Sequence, residues 1–262
     1  MTYKWPEPKK KQRWLHKIGL KKLPYKLGCD FRSDGFGTKG KSLKFMNDPA
    51  FIDAWNASAE TGFKATGNNI PDIRWRAHIA LWAAQSCLKL EGDFVECGVF
   101  TGIFSMAICH YFNFANVDKK FWLFDSWEGI PVEQLNLSAE AQTLAKQHNE
   151  ANYRRYDIFT SISESFSKYP NCKLVKGMLP ETLEQAELNK IAFLSIDLNN
   201  APSEKECIEK LWSKITTGGI VLIDDYGWVD HKDQQDMWDE FAASKGLFIV
   251  TLPTGQGILT KQ

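Results

Sequence analysis

The sequence predicts an α/β protein on a mostly parallel sheet that closes with an antiparallel hairpin. Three observations predict it. From residue 71 onward, short apolar runs alternate with stretches of helical periodicity. Most of the apolar runs stop at Gly or Asp, as strands buried on both faces do. The last two runs flank Pro253-Thr254-Gly255, a turn sequence that suits a hairpin.

The elements follow in order. Segment 1–70 is irregular, broken by Pro6, Pro8, Pro24 and Pro49 and by Gly35, Gly37 and Gly40, with short helices expected near 10–22 and 48–61. Pro71-Asp72 opens a helix in which Ile73, Ala77, Ala80, Leu81, Ala84 and Leu88 recur on one face. Strands are expected at 93–97, 121–124, 173–176, 192–196, 220–223, 247–251 and 257–260. Helices are expected at 102–114, 154–168, 203–215 and 232–245. Strands separated by helices make βαβ units with right-handed crossovers, hence a parallel sheet. Two parts are expected: a basic arm over 1–70 and an α/β domain over 71–262.

Composition excludes several classes. The chain has 262 residues, with 32 Lys and Arg against 32 Asp and Glu. It has no run of 18 apolar residues, so no membrane span is expected. The first residues lack the apolar stretch of a secretory signal. None of the six cysteines forms a Cys-x-x-Cys pair, and scattered thiols suit a reducing cytoplasm. Residues 1–46 carry thirteen Lys and Arg against three Asp and Glu, so the remainder is acidic. Trp5, Trp14, Leu15, Ile18, Leu20 and Leu23 interrupt this basic arm as packing anchors. The arm is therefore read as packing on an acidic surface of its own chain or of a second subunit in a homo-oligomer, not on nucleic acid.

Three segments carry chemistry. In 91–102 a strand runs into Glu96-Cys97-Gly98-Val99-Phe100-Thr101-Gly102 and then a helix. The spacing is Gly-x-x-x-Gly, not the Gly-x-Gly-x-x-Gly of dinucleotide sites, which argues against a nicotinamide oxidoreductase. Glu96 at the strand end would repel a pyrophosphate but suits an ammonium, which points to S-adenosylmethionine. Asp125 ends the next strand, 23 residues after Gly102, close to the spacing for a carboxylate on ribose hydroxyls. Ser126 and Trp127 follow it, the latter as a cover for the adenosine. Asp197 ends a third strand, and Asp224-Asp225 a fourth. If those strands are neighbours, three carboxylates meet in one crevice, where a hard divalent ion such as Mg²⁺ would neutralise them. Of five histidines, only His231 follows such a strand end by a short loop; His16, His78, His110 and His148 read as core or surface residues.

Taken together, GDFVECGVFTG (92–102), FWLFDSWEGIP (121–131), VKGMLPETL (175–183), FLSIDLNNA (193–201), LWSKITTGGIVLIDDYG (211–227) and LPTGQG (252–257) resemble the macrocin O-methyltransferase family of class I S-adenosylmethionine-dependent methyltransferases. The resemblance covers roughly 72–262. It implies a seven-stranded Rossmann-like sheet, and methylation of a hydroxyl on a sugar-containing small molecule with help from Mg²⁺. It places the cofactor on Glu96, Gly98, Thr101, Asp125, Ser126, Gly177 and Met178, and the metal on Asp197, Asp224 and Asp225. The family's Asp-x-Asp is here Asp197-Leu198-Asn199, so the expected general base is missing. His231 is the replacement expected, with Asn199 and Asp197 beside it. The alternative is a cofactor- or sugar-binding module of the same fold without catalysis.

Overall fold

The computed structural model describes residues 30–132, 139–153 and 157–262. The helix expected over 10–22 and most of the basic arm lie outside the described residues. The chain divides into two compact units, Met1–Lys44 and Phe45–Gln262. In the first, β1 (Phe31–Ser33) and β2 (Phe36–Thr38) form a short antiparallel hairpin around Asp34-Gly35.

The second unit begins with α1 (Pro49–Thr66) and α2 (Arg74–Cys87). Asp48 caps α1 by accepting from the Ala50 and Phe51 amides; Pro49 opens it and Gly67 closes it in the left-handed region. Then come β3 (Asp93–Cys97), α3 (Ile103–Tyr111), β4 (Phe121–Asp125), α4 (Ala139–Asn152), α5 (Ile158–Phe166) and β5 (Cys172–Lys176). The chain continues through β6 (Ile191–Ile196), α6 (Ala201–Leu211), β7 (Ile215–Ile223), α7 (Lys232–Ser244), β8 (Val250–Thr251) and β9 (Gly257–Thr260). The spatial order is β5-β4-β3-β6-β7-β9-β8. The first five strands pair in parallel, and β9 pairs antiparallel with β7 and β8. This is the expected fold class, with seven strands and a closing hairpin.

Three readings of the sequence needed revision. Helix α4 lies between the strand expected at 121–124 and the helix expected at 154–168, where no element was expected; its polar sequence, AEAQTLAKQHNEAN, has too few apolar residues to show a stripe. Strand β7 starts at Ile215, so the helix read through 215 ends at Leu211. The β-branched pair Ile215-Thr216 suits a strand better than a helix end. Strand β8 keeps only two residues of the expected run 247–251.

Alternation along the strands sorts their side chains onto two faces. Phe94, Leu123, Phe193 and Leu222 point to one face and pack with Ala77, Ala80, Met106 and Ile162 from the helices covering it. Val95, Phe124, Leu194 and Val221 point to the other and pack with Cys207, Ile208, Trp238 and Phe241 of α6 and α7. Continuing the first set by two-residue steps gives Glu96, Asp125, Asp197 and Asp224. The same periodicity that builds the core therefore gathers four carboxylates at the carboxyl ends of adjacent strands, on the face covered by α1, α2 and α3.

Candidate active site

The sheet reverses its winding between β3 and β6, the switch point where ligands bind in open α/β sheets. A cleft opens there, lined by Gly98, Asp125, Ser126, Gly177, Met178 and Asn199 among others. Phe100, Trp127 and Asn199, each just past a strand end beside it, have positive φ, a costly conformation for residues with a side chain.

Glu96 is 3% exposed, and its Oε2 has no hydrogen-bond partner. Burial above all, with the nearby charges of Asp224 and Asp125, pushes its carboxyl up to about 8, against the pull of a hydrogen bond with Ser105. The Thr101 hydroxyl is also buried and unpartnered. A buried carboxyl group and hydroxyl left unsatisfied at a switch point are groups that a polar, cationic ligand would complete, the cation favouring loss of the carboxyl proton. The residues present fit S-adenosylmethionine in this respect.

Gly98 has a φ of 89°, and a Cβ there would lie 1.8 Å from the Asp197 carbonyl oxygen. Glycine is needed because strand ends β3 and β6 touch. Gly177 likewise has a positive φ and donates its amide to the Asp125 carbonyl at 2.9 Å.

Asp125 ends β4 as expected, but its carboxylate is turned onto the backbone. Oδ2 accepts from the amides of Val99 and Phe100, both at 2.7 Å, and Oδ1 from Trp127 at 2.6 Å. With Oδ2 saturated, only Oδ1 keeps a free lone pair, so a bidentate grip on two ribose hydroxyls does not fit. Burial raises the Asp125 carboxyl while these three amides pull it down. Trp127 does not cover an adenosine either. It is 6% exposed, its indole donates to the Phe100 carbonyl at 2.9 Å, and its ring packs on Phe159. Ser126 accepts the Glu128 amide and donates to the Gly129 carbonyl, closing the turn.

Asp197, Asp224 and Asp225 come together, and each of the latter two raises the Asp197 carboxyl, after burial, well above its usual range. The cation among them is Arg76 of α2. Its Nη1 lies 2.6 Å from Asp224 Oδ2 and 3.7 Å from Asp225 Oδ1, with the guanidinium over the Trp228 ring. Gln256 donates to the other oxygen of Asp224 at 3.0 Å. Burial, opposed by Arg76, leaves the Asp224 carboxyl at about 6. Among the described residues no group of three His, Cys, Asp or Glu is arranged to hold a metal ion. The expected Mg²⁺ site does not fit this arrangement, because Arg76 already supplies the cation between Asp224 and Asp225 and Gln256 donates to Asp224. Sequence reasoning missed Arg76, since nothing in a helical Arg-Trp-Arg marks which cation turns inward.

Asn199 donates to Asp197 Oδ1 at 2.8 Å. His231 precedes α7, with Nε2 3.8 Å from Asp225 Oδ2 and Nδ1 2.5 Å from Gln234 Oε1. A second imidazole was missed: His148 of α4 lines the cleft with Tyr153, and both rings lie beside Phe100. Burial lowers the His148 value, against Asp225 and Asp125, which raise it. It could not be singled out because the helix that carries it shows no apolar face.

Comparison with known proteins identifies the family and the fold. The family model for macrocin-O-methyltransferase (TylF) matches residues 82–251. An 8-demethyl-8-(2,3-dimethoxy-alpha-L-rhamnosyl)-tetracenomycin-C 4'-O-methyltransferase from Streptomyces olivaceus is 26% identical over 151 residues, covering 52% of this chain and 54% of that protein. A demethyldecarbamoylnovobiocin O-methyltransferase from Streptomyces niveus is 26% identical over 150 residues, covering 53% and 54%. The chain thus spans about half the length of the curated relatives it matches. Among solved structures, the O-methyltransferase NovP superposes with a TM-score of 0.65 at 19% identity, covering 85% of this chain and 100% of that one, which shows the shared fold. With the family model matching well over half of its length, the chain belongs to the macrocin-O-methyltransferase (TylF) family.

Proposed function

We propose that this protein is an S-adenosylmethionine-dependent O-methyltransferase acting on a hydroxyl of a sugar or sugar-containing small molecule. The observation that carries the reading is the buried Glu96 carboxyl group, with one oxygen unsatisfied, beside the Gly98 turn at the switch point. Family membership supports it, as does the name of the Streptomyces olivaceus relative, which methylates a rhamnosyl group.

S-adenosylmethionine supplies a methyl group activated on a sulfonium. Glu96 offers its free oxygen to an ammonium, and the Thr101 hydroxyl can complete a polar contact. Asp125 holds the loops after β3 and β4 together and offers one remaining lone pair. Ser126, Gly177 and Met178 wall the cleft. His231 takes the proton of the acceptor hydroxyl, with Asn199 and Asp197 orienting that hydroxyl. Arg76 balances the carboxylates, and no step is assigned to a divalent ion. Asn199 in place of an acid favours one second reading, a binding module without catalysis.

Labelled methyl transfer to a panel of glycosides and sugar nucleotides separates the two. Transfer that depends on His231 supports the enzyme; cofactor binding without transfer to any acceptor supports the module. The basic arm and the free thiols support two further proposals, a homo-oligomer and a cytoplasmic location. Light scattering checks the first, and a monomer at working concentration would reject it.

A further inference from the structure

We propose that Glu204, acting through Gln234, locks His231 in the tautomer that carries its proton on Nδ1 and leaves the Nε2 lone pair free. The inference rests on the reading of His231 as the base, and it assigns Glu204 and Gln234 as positioning residues.

Glu204 is 1% exposed in α6, on the sheet face opposite Glu96. It receives three N–H donors. Gln234 Nε2 donates to Oε1 at 2.8 Å, the Leu198 amide to Oε1 at 3.2 Å, and Trp238 Nε1 to Oε2 at 2.7 Å. Burial pushes the Glu204 carboxyl up to about 7, opposed first by the Trp238 bond and then by the Leu198 amide. Above that value it is a carboxylate and can only accept.

The rest follows from donor and acceptor identities. An acceptor-only Glu204 requires Gln234 to present its NH₂ group, which fixes the amide that could otherwise flip. The Gln234 carbonyl then faces His231 Nδ1 at 2.5 Å. A carbonyl can only accept, so Nδ1 must carry the hydrogen. Neutral imidazole has one N–H, so Nε2 keeps its lone pair. That nitrogen is the one 3.8 Å from Asp225. The Glu204 carboxylate also accepts the Leu198 amide, within the turn that carries Asp197 and Asn199. One buried acid thus sets both the base and the residues that would orient its substrate.

The test is nitrogen-15 NMR of the histidine rings in the full-length protein, at a pH where the imidazole is neutral, with the His231 signal assigned by its loss in His231→Gln. The expected wild-type result is a single Nδ1–H tautomer. Gln234→Leu and Glu204→Gln should each replace it with a mixture. Their turnover should fall by no more than the ~10²–10⁴ that loss of a base costs, with KM for S-adenosylmethionine unchanged. An Nε2–H tautomer in the wild type overturns the proposal, as does a tautomer unchanged in either folded variant. The wild-type spectrum decides the matter even if neither variant folds. Failure of the base reading shows separately, as an unchanged rate in His231→Ala.

Discussion

The carbonyl oxygen of Asp197 stands 1.8 Å from the point where a Cβ on Gly98 would lie. Strands β3 and β6 therefore meet at the switch point with no room for a side chain, and the cleft opens directly beyond that contact. Gly98→Ala must push the two strand ends apart and adopt a φ of 89°, so a loss of about 2 kcal/mol or more is expected. Urea unfolding measures it. An unchanged midpoint would mean that the contact is not as close as described.

Asp125 is a strut between the loops after β3 and β4. Asp125→Ala removes three backbone hydrogen bonds to a charged group, worth about 1.5–3 kcal/mol each at most and less in sum after relaxation. Stability and S-adenosylmethionine affinity should fall together. Calorimetry showing full stability with lost binding would restore the simple ribose-gripping role.

Glu96 makes stability depend on pH. Its carboxyl is raised from an ordinary 4.5 to about 8, so the folded state holds a proton that the unfolded state releases between those values. Its contribution is complete below pH 4.5 and is lost as pH rises to about 8, on the order of a few kcal/mol. Glu96→Gln should flatten thermal stability across that window and weaken cofactor binding. A variant whose stability still falls as steeply with pH would show that another group is responsible.

Arg76 should make the carboxylate crevice indifferent to chelation. Activity is expected to survive EDTA, and manganese titration followed by electron paramagnetic resonance should show no tight site. Arg76→Ala uncovers Asp224 and Asp225, so it should lose stability by about 3–5 kcal/mol, the cost of leaving a buried charge unpaired. Should chelation abolish wild-type activity, the original Mg²⁺ expectation would return.

The sequence alone determined the strand ends. Apolar runs closing on Glu96, Asp125, Asp197 and Asp224 follow from the need to bury both sheet faces, and a two-residue period then places those acids together. Gly98 was legible for the same local reason, since a strand-to-helix turn demands a backbone that only glycine adopts easily. What the tertiary structure decided is who partners the acids. Whether Asp125 turns to a ligand or to the amides of Val99 and Phe100 depends on how two loops pack. Arg76 and Gln256 reach the crevice from elements far along the chain, and His148 comes from a helix with no apolar stripe to announce it. Charge and hydrogen-bond pairing act through space over a few ångströms, and spacing along a chain carries no record of them.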